Sequence, residues 1–313
     1  YRETGVEPRQ VVLPPAGVEL PIRDLATLSA SERQREAERI LHAEALRPFD
    51  LTREWPLRAQ LLRMAPDRHW LAMTVHHIAA DGWAMGILQA ELAALYAAHR
   101  DQRPSSLPPM PLQYTDYAQW QRRWLDEAAL EAQLTFWKER LHGLPLLHGL
   151  PLDRPRPPVQ TDRGAVHRQL LPDELVTRAQ ELVQRHDATL FMGLYSAFAL
   201  LLSRYSGESD IVVGTPVANR RDEALAPMVG LFVNTLVLRS DLSDDPTFVE
   251  LLARSRAYAL DAYEHQDLPF EMLVERVNPA RNASYSPLFQ VMFALQNTDA
   301  AGMAIEGLTT RPI

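Results

Sequence analysis

Proline decides where this chain can be cut. Between Leu144 and Pro158 stand Pro145, Pro151, Pro155, Pro157 and Pro158. Each fixes φ and removes a backbone donor, so neither a helix nor a ladder runs through them. The stretch reads as a linker between two lobes, residues 1–155 and 156–313. At 313 residues the chain is long enough for both. Strand-like and helix-like segments occur on each side of the linker, which predicts an α/β fold built from two lobes.

In the first part, Glu7 to Val12 reads as a strand arriving from a turn, with nothing before it to pair with. Ser29 followed by Glu32 is a capping box and predicts a helix over 30–46. Strands are expected over 57–64 and 69–77, with the turn at Pro66-Asp67. Asp81 opens a helix to about Ala98, and Trp83, Ile87, Leu88, Leu92 and Leu95 form its apolar stripe. Residues 114–125 and 127–141 read as two helices, or as one broken near Asp126.

In the second part the expectations are a strand over 166–170, helices over 172–185 and 189–205, strands over 211–217 and 231–239, a helix over 247–263 and a strand over 289–296. Gly207 stops the second helix, and Pro269-Phe270 reads as the start of another. Both ends of the chain read as cut, the first before a strand and the last soon after one.

Composition excludes several classes. The formal charge is −8 and no basic stripe is present, which argues against nucleic acid as a partner. Without cysteine there is neither a disulfide framework nor a thiolate metal site. No apolar run reaches the ~20 residues of a membrane span, and the first residues are not a signal peptide. A cytoplasmic location, away from membranes, is the expectation.

One heptad carries recognisable chemistry: His76-His77-Ile78-Ala79-Ala80-Asp81-Gly82, between a strand and a helix. Neighbours on a strand point to opposite faces, so the two imidazoles do not share one small ligand, and no third ligand stands near at metal spacing. His76 reads as the interior histidine and His77 as the one able to face a cleft. Asp81 stands at an N-cap position and reads equally as a plain cap or as a residue holding the site together. Gly82 lets the backbone turn tightly.

The heptad resembles the His-His-x-x-x-Asp-Gly signature of nonribosomal peptide synthetase condensation domains, members of the chloramphenicol acetyltransferase superfamily. Further segments resemble that family's motifs in order: Tyr114 to Trp120, Val213 to Arg220, Gly230 to Thr235, His265 to Glu271 and Pro287 to Val291. The family's two earlier motifs are missing, and with them an Arg expected to pair with Asp81. Ala84 stands where the family often has Ser, and Tyr285 where many members have Arg.

The resemblance implies two chloramphenicol-acetyltransferase-like lobes forming a V around a central tunnel, the N-terminal lobe incomplete. It implies an enzyme that condenses a carrier-bound aminoacyl or peptidyl thioester with the α-amine of a carrier-bound aminoacyl acceptor. It further implies that no cofactor is bound tightly, that phosphopantetheine arms arrive on donor and acceptor carrier domains, and that an adenylation domain is adjacent. His77 and Gly82 would carry the chemistry, supported by His76, Asp81, Trp83, Asn219, Arg220 and Asn234. The rival readings are a free-standing coenzyme A-dependent acyltransferase of the same superfamily, an epimerising or cyclising relative, and a non-catalytic module that recruits a partner.

Overall fold

A computed structural model describes residues 1–4, 7–14, 16–161, 163–277, 282–296 and 303–311. The chain divides into two compact units. Unit 1 is Tyr1–Pro109 with Pro227–Leu231 and Ala300–Ile313; unit 2 is Met110–Ala226 with Phe232–Asp299.

Unit 1 begins with β1 (Arg2–Thr4) paired antiparallel with β2 (Glu7–Arg9). The strand expected over 7–12 is therefore shorter, and it does have a partner before it. A three-stranded sheet follows, made of β3 (Ile22–Asp24), β4 (Leu57–Ala65) and β5 (Arg68–Val75). β4 is central, parallel to β3 and antiparallel to β5. Helix α1 (Ala30–Leu46) starts at the expected capping box, with Glu32 accepting from the Ser29 N–H and hydroxyl. Its Ala37 and Ile40 bury against Leu25, Leu62 and Met64 in the core. Spacing of three on the helix and of two on the strand puts each set on one face. Helix α2 (Gly82–Arg100) completes this part of the chain. Its last residue donates from the guanidinium to the Glu306 carbonyl, tying the returning segment into unit 1.

Unit 2 opens with α3 (Tyr114–Trp124) and α4 (Glu127–Arg140), two helices separated because Asp126 caps the second by accepting from the Ala129 N–H. After the proline-rich stretch come α5 (Asp173–Gln184), α6 (Leu190–Ser206), β6 (Asp210–Val217), β7 (Asn234–Asp241), α7 (Phe248–Glu264) and α8 (Phe270–Val277). β6 and β7 pair antiparallel from Asp210↔Asp241 to Val217↔Asn234. The core joins Leu134, Trp137 and Leu141 of the α4 region to Tyr195, Val213, Leu236, Leu238, Leu273 and Phe289.

That core does not coincide with a boundary at 155/156. Residues 110–155, expected in the first lobe, lie in unit 2, where Trp137 is 1% exposed and its indole N–H donates to the His265 carbonyl at 3.0 Å. Two expected strands are also absent from the described residues. Residues 166–170 have no strand partner, and Leu170 is 95% exposed. Residues 289–296 make one parallel bridge, Gly214↔Met292, flanked by the bonds Gly214 N–H to Val291 O and Phe293 N–H to Gly214 O.

Candidate active site

The His-His heptad begins one residue past a strand. β5 ends at Val75, opposite Leu57, and the His76 N–H still donates to the Pro56 carbonyl at 2.9 Å. Pro56 has no N–H to return, so the ladder stops there. The Ala79 N–H then donates to the His76 carbonyl at 2.9 Å, closing a turn over 76–79. The strand expected to reach His77 is two residues shorter for this reason, and the two imidazoles diverge by way of a turn.

His76 is half-buried, edge-on to Phe49 with ring centroids 5.6 Å apart at 86°. Its Nδ1 accepts from the Ile78 N–H at 3.1 Å, which leaves Nε2 as the protonated nitrogen of a neutral ring. His77 is exposed and lines an open cleft of about 610 Å³ with Leu41, Glu44, Met73, Asp81, Gly82 and Met85 among its walls.

Asp81 caps α2. It is 4% exposed, its Oδ1 accepts from the Ala84 N–H at 2.9 Å, and its own N–H donates to the Gly230 carbonyl at 3.2 Å. Gly230 belongs to Pro227–Leu231, the segment of the later chain that is part of unit 1. Gly82 is the first helical residue, at the end where backbone donors have no intrahelical acceptor. Trp83 follows, 45% exposed. His77, Asp81 and Gly82 thus share one cleft, with His76 behind them.

The remaining expected site residues cluster in unit 2. Asn219 takes a left-handed backbone, φ 51°, which Asn tolerates better than most residues. Arg220 donates to the Leu225 carbonyl at 2.5 Å and lies over the Phe232 ring, 4.0 Å from its centroid. Phe232 also packs on Tyr117 at 4.6 Å and Tyr114 at 5.3 Å. Burial, with Tyr114 and Asp267 nearby, pushes the Tyr117 phenol up to about 12. Asn234 uses its whole amide: Nδ2 donates to the carbonyls of Gln266 and Leu268, both at 2.7 Å, and Oδ1 accepts from Thr235 N–H at 2.8 Å and Phe270 N–H at 3.0 Å. Four motif segments far apart in sequence therefore meet in this unit.

Sequence reasoning missed Glu44, Phe49, Arg58 and the Gly230 carbonyl. None lies within the heptad, and a backbone acceptor carries no side-chain signal. Among the described residues no cluster of three or more His, Asp or Glu side chains is placed to hold a metal, and no helix is long and apolar enough to cross a membrane.

The family model for the condensation domain matches residues 1–311. Chondramide synthase cmdD of Chondromyces crocatus is 44% identical over 313 residues, 100% of this chain and 8% of that protein. Phosphinothricin tripeptide synthetase PhsC of Streptomyces viridochromogenes is 43% identical over 293 residues, 94% of this chain and 27% of that protein. The chain thus spans a small part of the relatives it matches. Among solved structures, the X-domain from teicoplanin biosynthesis superposes with a TM-score of 0.78 at 33% identity, over 89% of this chain and 61% of that one. The four-domain nonribosomal peptide synthetase AB3403 gives 0.80 at 26% identity, over 91% and 21%. With the mixed α/β units and a match from the first residue to residue 311, this chain belongs to the condensation-domain family and has its chloramphenicol-acetyltransferase-like fold.

Proposed function

We propose that the chain forms an amide bond between two carrier-bound substrates. The observation that carries the reading is His77, exposed in the cleft one turn before the N-terminus of α2, with its neighbour His76 turned away onto Phe49.

The acceptor α-amine attacks the donor thioester carbonyl. The C–N bond forms, the tetrahedral intermediate collapses, the C–S bond breaks, and the amine proton passes to the departing thiolate. An α-amine titrates near ~8, so part of it is already unprotonated at neutral pH. Positioning two tethered reactants supplies much of the acceleration. His77 holds the amine and relays its proton, a contribution of roughly 10²- to 10⁴-fold. The N–H groups at the start of α2, Gly82 first, face the charge that develops on the carbonyl oxygen.

The phosphopantetheine arms are part of the substrates, and carrier domains beside an adenylation domain are the partners that deliver them. His76 and Asp81 shape the turn, and Trp83 borders it. Asn219, Arg220 and Asn234 support the site by ordering the motif segments of unit 2.

The test is single-turnover amide formation from donor- and acceptor-loaded carriers, for wild type and His77→Ala. Loss of product in the variant supports the role of His77, and near-normal turnover sinks it. Product from an acyl-coenzyme A donor in place of the donor carrier would favour the free-standing acyltransferase.

A further inference from the structure

The turn that presents His77 is pinned by backbone at His76: its N–H reaches Pro56, its carbonyl accepts from Ala79, and its Nδ1 accepts from Ile78. Those bonds fix the chain path. The His76 ring also meets Phe49, edge-on with centroids 5.6 Å apart.

Phe49 is itself held. The Arg58 guanidinium carbon lies 3.7 Å from its ring centroid. Arg58 comes from β4, its side chain only 11% exposed. It donates to the carbonyls of Arg47 at 2.7 Å and Pro48 at 3.2 Å, and pairs with Glu54 at 3.4 Å. Its Nε lies 2.5 Å from Glu44 Oε1, an ion contact out of line for a straight hydrogen bond. A guanidinium fastened at four places is a rigid plate, which the single point charge of a lysine is not. Glu44 also lines the cleft that His77 lines. The run Glu44–Arg58–Phe49–His76 therefore begins at the cleft wall and ends beside the residue that faces it.

We infer that Arg58, acting through Phe49, is a positioning residue: it sets the His76 ring and thereby the direction in which His77 enters the cleft. The catalytic consequence rests on the amide-forming reading above; the ring geometry does not. A residue that only stabilises the fold leaves the turnover of folded protein unchanged. A positioning residue changes the turnover of folded protein.

The experiment uses the chain with Arg58→Met, Arg58→Lys, Phe49→Leu and Phe49→Tyr, each checked for folding by circular dichroism. Two readouts are taken: single-turnover rate against acceptor-carrier concentration, and the imidazole ¹⁵N resonances of His76 and His77. Arg58→Met, Arg58→Lys and Phe49→Leu are expected to lower the maximal rate about 10- to 100-fold at unchanged half-saturation. They also move His76 Nδ1 away from its acceptor position towards that of a ring exchanging between tautomers. Phe49→Tyr, which keeps the ring, restores both. A folded Arg58→Met or Phe49→Leu with wild-type rate and wild-type His76 resonances overturns the inference. If those variants fail to fold, the wild-type chain still decides: absence of ring-to-ring nuclear Overhauser contacts between Phe49 and His76 overturns it, and their presence supports it. If wild type forms no amide from any carrier pair, the proposed function fails, while the His76 resonances still report on the buttress.

Discussion

Asn234 and Phe270 are joined by one bond: the Phe270 N–H, at the start of α8, donates to Asn234 Oδ1 at 3.0 Å, while Nδ2 of the same amide donates to Gln266 and Leu268. The last residue of the Gly-x-Phe-Val-Asn run thus organises the approach to a helix in the following motif. Asn234 is 8% exposed, so its partners have little water to turn to.

Replacing Asn234 by Ala leaves two carbonyls and two N–H groups without it, at a cost of about 2–3 kcal/mol. Asn234→Asp is worse at neutral pH, because a carboxylate then faces two carbonyl oxygens. Burial and those oxygens raise its folded-state pKa above the unfolded value near ~3.9. The neutral acid is therefore favoured in the folded state, and the Asp variant regains stability as pH falls from 7 towards 4. Urea denaturation midpoints of wild type and both variants across that range check the sign.

Phe289 packs directly over Gly214 of β6: a Cβ on Gly214 would overlap the Phe289 ring. Gly214→Ala is expected to cost about 1–3 kcal/mol through overpacking. Adding Phe289→Leu relieves the overlap, so the double mutant loses less than the sum of the two single losses. A double-mutant cycle by chemical denaturation measures that coupling.

Asp81 separates capping from chemistry by simple substitution. Asn accepts the Ala84 N–H as Asp does, so Asp81→Asn preserves the cap, whereas Asp81→Ala removes it at a cost of about 1 kcal/mol or more. Thermal denaturation gives the first comparison. Single-turnover rates of the Asn variant then show what the charge of Asp81 adds once its cap is preserved.

Alkaline stability follows from two tyrosines. Tyr117 and Tyr258 are both pushed up to about 12, in each case first by burial. A phenol raised in the folded state contributes stability that is complete below the unfolded value near ~10 and is lost as pH rises through about 12. The denaturation midpoint is expected to fall steeply between those values. Tyr117→Phe flattens the fall, and ultraviolet difference titration of the phenolates locates the steps.

Much of this fold is legible in the sequence wherever a terminal side chain does the work. The Ser29–Glu32 box, the Asp81 cap, the break at Asp126 and the Gly207 stop, φ 75°, all stand where the residue types place them. Legibility fails where pairing decides. Residues 166–170, expected as a strand, have no neighbouring strand, and β3 is three residues long, too short to show a period. At the candidate site the heptad could be read from local sequence, whereas its two imidazoles, expected on opposite faces of a strand, stand in the turn over 76–79 beyond the end of β5. Phe49 and Arg58 could not, because their relation to His76 comes from the β4–β5 register and from a loop before β4, neither of which leaves a pattern within one window.

Unit 1 is discontinuous in the chain, since Pro227–Leu231 and Ala300–Ile313 belong to it along with Tyr1–Pro109. A chimera with a single crossover near residue 109 therefore mixes parents inside one compact body, and the donor of the Asp81 N–H bond and its acceptor, Gly230, come from different ancestors. Recombination that respects this architecture transplants three pieces together. Swaps at the proline-rich stretch, attractive as a cloning junction, would instead cut through unit 2.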